Sequence, residues 1–390
     1  MKTQRWVISG AALGCLTGLA LLGGAVKGAA PASPETLSFK NEIQAGISRG
    51  LLWLKNNQHT NGYWSSPELP ALTAMALLCF KGEPTGLYTK SEPEFLRRGY
   101  DFLLGQAKPD GGIYHQGYVT YNTALSMMAL LAAEKPAYEP VIRKARRFLV
   151  GLQVDFGETN KADHVMDGGV GYGSKYKHSD MGNTLYALEA LYYSRHLVAD
   201  QPAENDLNYA AAIQFLQNCQ NLPEINQQDW VSNDPQDRGG FVYYPGHSMA
   251  GGVTNPATGR VALRSYGSIS YGGMLSYLYA QLRKDDHRVK AVFDWLQKHW
   301  TLEENPGMGP EGMFFYYHTM AKALTVAEVK ELALADGRKV AWQKALAMKL
   351  LNLQSRDGSW ANENNRWMEK DPVLVTAYAV LALEMIHRNY

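Results

Sequence analysis

One sequence pattern recurs along this chain, and its last copy fills residues 354–383. There a charged, amphipathic segment ends at Gln354, an Asp-Gly turn leads to Trp360, and an uncharged apolar segment follows at 376–383. Further copies begin at Gln58, Gln106, Gln153 and Gln220, and a degenerate copy without the Gln-Gly-Trp turn lies at 294–324. Copies roughly 50–70 residues apart, each with two helical segments, are typical of a repeat protein whose units bury their apolar faces only against neighbours.

The two helical segments of each unit differ in polarity. The first carries charged residues at helical spacing, as at 141–153, 287–300 and 341–354, whereas the second is apolar on nearly all sides, as at 73–80 and 123–133. We therefore predict an all-α fold, an (α/α)6 toroid of six helical hairpins, in which an outer ring of charged helices surrounds an inner apolar ring and a central cavity. An open superhelix of the same hairpins is the alternative.

Glycine and tryptophan mark the turns between the two segments. Asp-Gly, Asn-Gly and Gly-Gly pairs supply positive φ angles at low cost where the chain reverses. We expect Trp64 and Trp360 to pack the corners and the repeated glutamines to tie them by hydrogen bonds. The longest irregular segment, 223–264, is either a flap over one mouth of the cavity or a plain surface loop.

Residues 1–32 have the pattern of a targeting segment. Two basic residues precede an apolar run at 6–26, and an Ala-Pro-Ala sequence fits a cleavage site. We predict a signal peptide at 1–32, one toroid domain at 33–390, and an exported protein, periplasmic or extracellular. The alternatives are that the apolar run stays as an N-terminal membrane anchor, through which the protein associates with a membrane, or that Cys15 carries a lipid.

Composition excludes several classes of protein. The 390 residues are 46% hydrophobic and 19% charged, so a large core can form, and the formal net charge is +1. No basic tract lies beyond residue 32, so nucleic acid is not an expected partner. The two cysteines in the predicted domain, Cys79 and Cys219, are either buried free thiols or a disulfide. They are too few for a zinc site made of cysteines.

The turns and inner segments together resemble a known group of proteins. Gln-x-x-x-Gly-x-Trp turns followed by Thr-x-x-Ala-Leu helices are similar to the repeats of squalene-hopene and oxidosqualene cyclases and of protein prenyltransferase β-subunits, over residues 43–386. The resemblance implies a toroid whose inner helices line a cavity for polyisoprenoid ligands. It does not by itself imply either chemistry.

The cyclases of this group protonate an alkene with an Asp-x-Asp-Asp-Thr motif at the start of an inner helix. The nearest counterpart here keeps Asp180 and Thr184 but lacks the two central acids, and residues 371–376 lack them as well. Standard squalene cyclisation is therefore not expected. Asp180 is the candidate acid of a divergent reaction, and capping of its helix is the alternative role.

The prenyltransferases of this group bind zinc through an Asp-x-Cys sequence and a histidine. The Tyr-His-Thr stretch at 317–319 resembles theirs and puts His318 at the ligand position, but the preceding repeat reads Ser-Tyr-Gly-Ser at 265–268. Because zinc needs three or four ligands and one is present, we predict no bound metal and no cofactor.

Polar and aromatic residues near the starts of the inner helices are the candidate site. Asp180 is the expected acid, with His318 and Tyr317 as its catalytic partners across the cavity. Aromatic faces stabilise cationic intermediates, so the substrate-binding candidates are Tyr121, Asn183, Tyr266, Tyr271, Tyr316 and Tyr378.

These observations predict an exported, terpenoid cyclase-like toroid that binds an apolar, isoprenoid-like small molecule in its central cavity. If the protein is an enzyme, we expect cyclase, isomerase or transferase chemistry of the terpene cyclase/mutase kind without the full acid motif. Two alternatives from other classes are open: a non-catalytic interaction scaffold, and a carbohydrate-acting α/α toroid enzyme.

Overall fold

The computed structural model describes residues 33–173, 178–200, 202, 206–334 and 336–390, which are mainly α-helical. In chain order the helices are α1 (Pro34–Asn56), α2 (Pro70–Lys81), α3 (Leu87–Lys90), α4 (Glu94–Gly105), α5 (Val119–Ala132), α6 (Glu139–Val150), α7 (Met181–Ser194), α8 (Tyr209–Asn218), α9 (Gly267–Tyr279), α10 (His287–Lys298), α11 (Met313–Val326), α12 (Trp342–Leu353) and α13 (Pro372–Asn389). Short 3-10 turns lie at Pro136–Tyr138, Arg195–Val198 and Arg366–Met368. Two antiparallel hairpins pair β1 (Gly252–Thr254) with β2 (Val261–Leu263), and β3 (Leu332–Ala333) with β4 (Lys339–Val340).

The inner helices form a closed ring. Helix α2 packs against α5, α5 against α7, α7 against α9, α9 against α11, α11 against α13, and α13 returns to α2. The outer helix α1 also packs against α13, so the first and last units share an interface. The predicted all-α toroid is therefore confirmed, and the open superhelix is not what this part of the chain forms.

Burial follows the difference in polarity between the two rings. The inner helix α9 is buried at every position but Leu278, whereas the outer helix α6 buries only Ile142, Ala145, Arg146 and Leu149. An inner helix has neighbours on all sides, so its sequence is apolar all round. An outer helix has neighbours on one side only, so its sequence carries charged residues on the other.

Four of the repeated glutamines, Gln58, Gln153, Gln220 and Gln354, tie their corner to the next unit. The side-chain amide of Gln58 donates to the carbonyl oxygens of Gly62 in its own turn and Phe95 in the next outer helix, at 2.9 and 2.8 Å. In the last unit Gln354 donates in the same way to Gly358 and to Gly46 of α1, both at 2.9 Å. The contact between Gln354 and Gly46 joins the last unit to the first with the same kind of bond that Gln58, Gln153 and Gln220 make to the units after them.

Tryptophan fills the corners as expected. The indole N–H of Trp360 donates to the Leu350 carbonyl at 2.7 Å, and its backbone N–H donates to the Thr376 hydroxyl at 3.0 Å. Trp64 makes the equivalent bonds in the first unit. The turn before Trp360 requires glycine, because Gly358 has a φ of 96° and a β-carbon there would lie 2.5 Å from the carbonyl oxygen of Arg49.

Several other predictions concern the cysteines, the long irregular segment and the N-terminal residues. Cys79 and Cys219 are buried free thiols. The segment 223–264 is irregular apart from the β1–β2 hairpin. Among the described residues, no helix is both long and apolar enough to span a lipid bilayer. The signal peptide and apolar run predicted within residues 1–32 lie outside the described part of the chain, and the domain boundary at 33 stays a prediction.

Candidate functional site

A cavity of about 250 Å³ lies where the inner helices begin. Its wall comes from the first turns of α5, α7, α9, α11 and α13 and from the turns before them. Of the described residues, seven tyrosines line it: Tyr118, Tyr121, Tyr172, Tyr186, Tyr243, Tyr266 and Tyr378. Two acidic residues, Asp180 and Glu369, also face it. This first cavity is therefore aromatic, with two carboxyl groups as its ionisable acids.

Asp180 is the N-cap residue of α7 and is fully buried. Its Oδ1 accepts a hydrogen bond from the backbone N–H of Asn183 at 2.9 Å, and its Oδ2 accepts one from the Asn183 side-chain amide at 2.8 Å. Burial raises the pKa of this carboxyl, and the Asn183 bonds, a bond from Tyr243 and the nearby His178 oppose the rise only in part. A carboxyl whose pKa is raised holds its proton to higher pH, so Asp180 can serve as a proton donor at the cavity wall.

Tyrosines surround this acid on the side of the irregular segment. The Tyr243 hydroxyl lies 3.1 Å from the Tyr172 hydroxyl, and the backbone N–H of Met181 donates to the Tyr243 carbonyl at 2.9 Å. Tyr266, directly before α9, is buried, and burial raises the pKa of its phenol well above the usual value. The segment 223–264 thus supplies a wall of the site through Tyr243, while its hairpin strands carry the exposed Val253 and Val261.

A layer of three tyrosines forms the floor of the first cavity. The Tyr186 and Tyr378 hydroxyls lie 3.4 Å apart, and the Tyr121 and Tyr186 rings meet edge to face at 4.9 Å. Burial raises the pKa of Tyr121 to about 12, so its hydroxyl stays neutral at physiological pH. On the far side of this layer, the His318 ring lies 5.2 Å from the Tyr378 ring.

Glu369 is a site residue that the sequence did not suggest. It is fully buried, and its oxygens accept bonds from the backbone N–H groups of Phe314 and Phe315, at 3.2 and 2.8 Å, and from the Asn362 amide at 2.6 Å. Burial raises the pKa of its carboxyl against these bonds. The only feature of the sequence that could have suggested Glu369 is its position in the turn just before the last inner helix, α13.

The residues before Glu369 cover the mouth of the first cavity. Trp367 and Met368 both line the cavity, have φ angles of 53° and 64°, and remain partly exposed. A side chain at Gly312 would strike the Trp367 ring, because a β-carbon there would lie 2.8 Å from it. Positive φ at two consecutive non-glycine residues is uncommon, and both side chains contact the first cavity as well as solvent.

Four of the six predicted substrate-binding residues meet Asp180 at the first cavity: Tyr121, Asn183, Tyr266 and Tyr378. The other two, Tyr271 and Tyr316, are buried in the ring wall and do not line it. The Tyr316 hydroxyl instead donates to the Thr301 carbonyl at 3.0 Å. Their roles in binding stay predictions, but the structure gives these two side chains no access to that space.

The expected arrangement of Asp180 with His318 and Tyr317 across one cavity requires correction. The Tyr317 hydroxyl donates to the Leu302 carbonyl at 2.6 Å, on the side of the loop before α11. His318 lines a second cavity, beyond the tyrosine floor. Because α11 begins at Met313, Phe315 takes the position that faces the first cavity, and His318 lies nearly a turn further along the helix. Within the described ranges, no group of three or more His, Cys, Asp or Glu residues could hold a metal ion.

Comparison with curated proteins finds partial relatives. No protein-family model matches the sequence. The chain is 28% identical to a lanosterol synthase of Aspergillus fumigatus over 131 residues and 28% identical to a terpene cyclase/mutase of Nectria over 160 residues. These matches cover 30% and 35% of this chain but 17% and 21% of the two relatives, so the chain spans less than a quarter of either.

Solved structures match nearly the whole ring. A type II terpene cyclase from Scytonema, in complex with the substrate geranylgeranyl dihydroxybenzoate, superposes with a TM-score of 0.53 at 11% identity, covering 91% of this chain and all of that one. The chain has the terpenoid cyclase-like toroid fold. This toroid is shared with a Candida albicans protein geranylgeranyltransferase-I in complex with GGPP, at a TM-score of 0.52, 16% identity, and 89% and 90% coverage. It is shared too with a GH76 α-mannanase from Bacteroides thetaiotaomicron, at a TM-score of 0.55 and 11% identity, covering 89% of this chain and 96% of that one. The resemblance predicted from the turns is confirmed at the level of the fold.

Proposed function

We propose that this toroid binds an apolar, isoprenoid-like molecule in the first cavity and that Asp180 donates a proton to it, in a cyclase-type or isomerase-type reaction. One observation carries the proposal: a fully buried carboxyl with a raised pKa lies on the wall of an aromatic cavity. Such a carboxyl is protonated at a pH where an exposed one is not, which is the state that an acid catalyst must have before it reacts.

The proton balance of the reaction needs no cofactor. The Asp180 O–H bond breaks as a C–H bond forms at an alkene carbon, which leaves a carbocation in the ligand and a carboxylate at Asp180. The two donors of Asn183 then stabilise that carboxylate. The faces of the surrounding tyrosines, such as Tyr243 and Tyr266, stabilise the cation. Loss of a proton from a neighbouring carbon back to the Asp180 carboxylate gives an isomer of the substrate and restores the acid.

Two of the similar structures support the class of ligand. The Scytonema cyclase was solved with geranylgeranyl dihydroxybenzoate and the Candida transferase with GGPP, and both ligands carry a geranylgeranyl chain. The aromatic lining here and the small number of charged groups in the wall suit a hydrocarbon chain better than a highly charged one.

Co-purified ligand tests the proposal directly. Protein purified without detergent is extracted with organic solvent, and the extract is analysed by mass spectrometry, with a parallel native mass spectrometry titration using geranylgeraniol. We expect an isoprenoid-like lipid in the extract or saturable binding of geranylgeraniol at one molecule per chain. An extract without lipid together with no binding of geranylgeraniol would contradict the proposal.

A carbohydrate-acting enzyme is the second candidate, because the first cavity holds two buried carboxyls. Asp180 and Glu369 both face it, and glycoside hydrolysis uses a pair of carboxyl groups. The fold shared with the GH76 α-mannanase fits that reading. Both carboxyls also accept backbone and side-chain donors as helix caps, Asp180 at the start of α7 and Glu369 at the start of α11, so their presence at one cavity does not by itself favour hydrolysis. Binding of an α-mannan oligosaccharide in the same titration, in place of geranylgeraniol, would favour this candidate and exclude the first.

We also infer export, from the targeting pattern of residues 1–32. N-terminal sequencing of protein recovered from the periplasm or medium tests it, with a mature start close to residue 33 as the expected result. Protein found at the membrane with the apolar run retained would support the anchor instead. The scaffold alternative predicts a stable partner protein and no cavity ligand in the same preparation.

A further inference from the structure

The second cavity, of about 80 Å³, lies at the opposite end of the ring, where the inner helices end. It is lined from the last turns of α2, α5, α7 and α13 and from α11. The tyrosine floor separates the second cavity from the first. Tyr378 lines the first cavity, His318 lines the second, and the two rings contact each other. The two cavities therefore present different chemistry at the two ends of one ring.

Two deeply buried polar atoms in the second cavity have no hydrogen-bond partner among the described residues. They are Oε1 of Glu384, whose side chain is 1% exposed, and Nδ1 of His318, which is 5% exposed. The Thr325 hydroxyl, at the same cavity, also has none. Buried polar groups in folded proteins are nearly always bonded to protein, water or ligand, so a polar atom of a bound molecule would satisfy groups that the described residues leave unpaired.

The cationic side chains at the second cavity are already engaged. The Lys322 ammonium contacts both carboxylate oxygens of Glu189, at 2.7 and 3.0 Å, and the Lys81 ammonium donates to the Tyr88 carbonyl at 3.1 Å. The Arg388 guanidinium donates to the Gly82 carbonyl and is 4.0 Å from Glu384. These cations oppose a positively charged ligand, and the carbonyl ends of the inner helices oppose a negatively charged one.

We propose that the second cavity binds the hydroxyl group of a small neutral alcohol. A hydroxyl both donates and accepts, so it can bond the unpartnered atoms of Glu384, His318 and Thr325 whichever of them carries a proton. Burial raises the pKa of the Glu384 carboxyl, and burial with the nearby Lys322 lowers the pKa of His318, so both groups tend to be neutral. The proposal concerns a separate site and does not depend on any reaction at Asp180.

The walls and size of the second cavity fit a short carbon chain. Leu78, Met128, Leu381 and Met385 provide apolar surface beside the polar atoms. A single water needs roughly 10–15 Å³ of such volume. A cavity of about 80 Å³ therefore holds several water-sized groups, the size of a short aliphatic alcohol.

Methyl NMR on the full chain tests the proposal, because Met128 and Met385 report on the second cavity. Protein labelled with ¹³C at the methionine methyls is titrated with n-butanol and, in parallel, with 1-chlorobutane, n-butylammonium and butyrate. We expect n-butanol to shift both methyl signals in a saturable way, with each of the other three at least fivefold weaker. Tighter binding of either ion, equal binding of 1-chlorobutane, or no shift with n-butanol would overturn the proposal.

Substitutions distinguish a site that recognises the ligand hydroxyl from a pocket that binds only the apolar chain. Glu384→Gln keeps a donor and an acceptor at nearly the same shape and should retain n-butanol binding within about twofold, whereas Thr325→Val and Glu384→Leu should weaken it at least fivefold. Thr319→Val is the matched control, because that hydroxyl donates to the Phe315 carbonyl within α11 and lies outside the cavity. If the Glu384→Leu variant fails to fold, Thr325→Val alone decides. Unchanged binding in Thr325→Val would then overturn the role of the polar atoms.

Discussion

Asp180 accepts hydrogen bonds from both the backbone N–H and the side-chain amide of Asn183, at 2.9 and 2.8 Å. The same carboxyl begins α7 and faces the first cavity, so one residue combines a structural cap with a candidate acid. Asp371 caps α13 through the backbone N–H groups of Val373 and Leu374 without facing that cavity. Substitution of both residues therefore distinguishes the effect of losing a helix cap from the effect of losing an acid at the cavity.

Asp180→Asn should lower turnover of the co-purified or identified substrate by about 10²-fold or more, since general acid catalysis contributes on that order. Its melting temperature should stay within a few degrees of wild type, because Asn caps helices about as well as Asp. Asp371→Asn is the control and should keep turnover. Retained turnover with lower stability in Asp180→Asn would leave the residue as a cap, and no change in either would remove it from the site.

Glu384→Gln should change the pH dependence of stability. Burial raises the pKa of Glu384 in the folded state well above its value in the unfolded chain. The folded state then binds more protons between the two values, so this contribution to stability is complete below pH about 4 and falls as pH rises. Glu384→Gln lacks that loss. Its melting temperature relative to wild type should therefore rise between pH 4 and pH 8.

Thermal melts by circular dichroism across that range measure the effect. Glu35→Gln is the control, because its exposed pair with Lys344, at 3.4 Å, contributes little to stability. A difference between Glu384→Gln and wild type that stays constant from pH 4 to pH 8 would mean that the carboxyl gains a partner in solution.

Gly358→Ala should destabilise the fold by about 2 kcal/mol or more, through its positive φ and the approach of the Arg49 carbonyl. Gly105→Ala is the matched control, because it lies at the end of α4 and a β-carbon there would meet no atom within 4 Å. That change should be within about 1 kcal/mol of wild type, in the stabilising direction. Urea unfolding of both variants compares them, and equal effects would argue against the corner geometry.

Deletion of residues 342–390 should abolish cooperative folding. It removes α12 and α13, and α13 packs against α1, α2 and α11. An open series of units would lose one end and keep the rest, whereas a ring loses an interface on both sides. Circular dichroism and thermal unfolding of the truncated chain measure the difference. A helical product with an unchanged transition would count against closure.

Metal removal should leave the protein unchanged. The stretch Ser-Tyr-Gly-Ser at 265–268 stands where the prenyltransferase resemblance would require an Asp-x-Cys sequence, and His318 lines a cavity with Lys322. We expect no stoichiometric zinc in protein purified without chelators, and no shift in melting temperature with EDTA. One zinc per chain that disappears in His318→Ala is the result that would refute this.

The fold could be predicted because the same two signals, turn glycines and helix polarity, recur in each unit. Asp180 could be assigned to the start of an inner helix for the same reason. Glu369 could not, since it follows a turn whose positive φ angles, at Trp367 and Met368, obey no local sequence pattern. A carboxyl in a turn looks the same in sequence whether it is solvated or buried.

Rotation and position along an inner helix explain the remaining differences. Aromatic residues occur on every side of these helices, so the sequence did not distinguish Tyr378, which faces the first cavity, from Tyr271, which is packed in the wall. His318 lies only three residues after Phe315, yet the tyrosine floor puts it in another compartment. Such assignments depend on the packing of neighbouring helices rather than on the helix itself.

The closed ring also brings the two ends of the described chain together. The Phe39 ring near the start of α1 lies 5.0 Å from the ring of Tyr390, after the end of α13. A short linker could therefore join these ends while the chain is opened at an exposed turn such as Gly259, where a β-carbon would meet nothing within 4 Å. The order in which the helices are translated would change, while the helices that each one packs against would stay the same. The closed ring therefore predicts that a circularly permuted chain forms the same packing between helices.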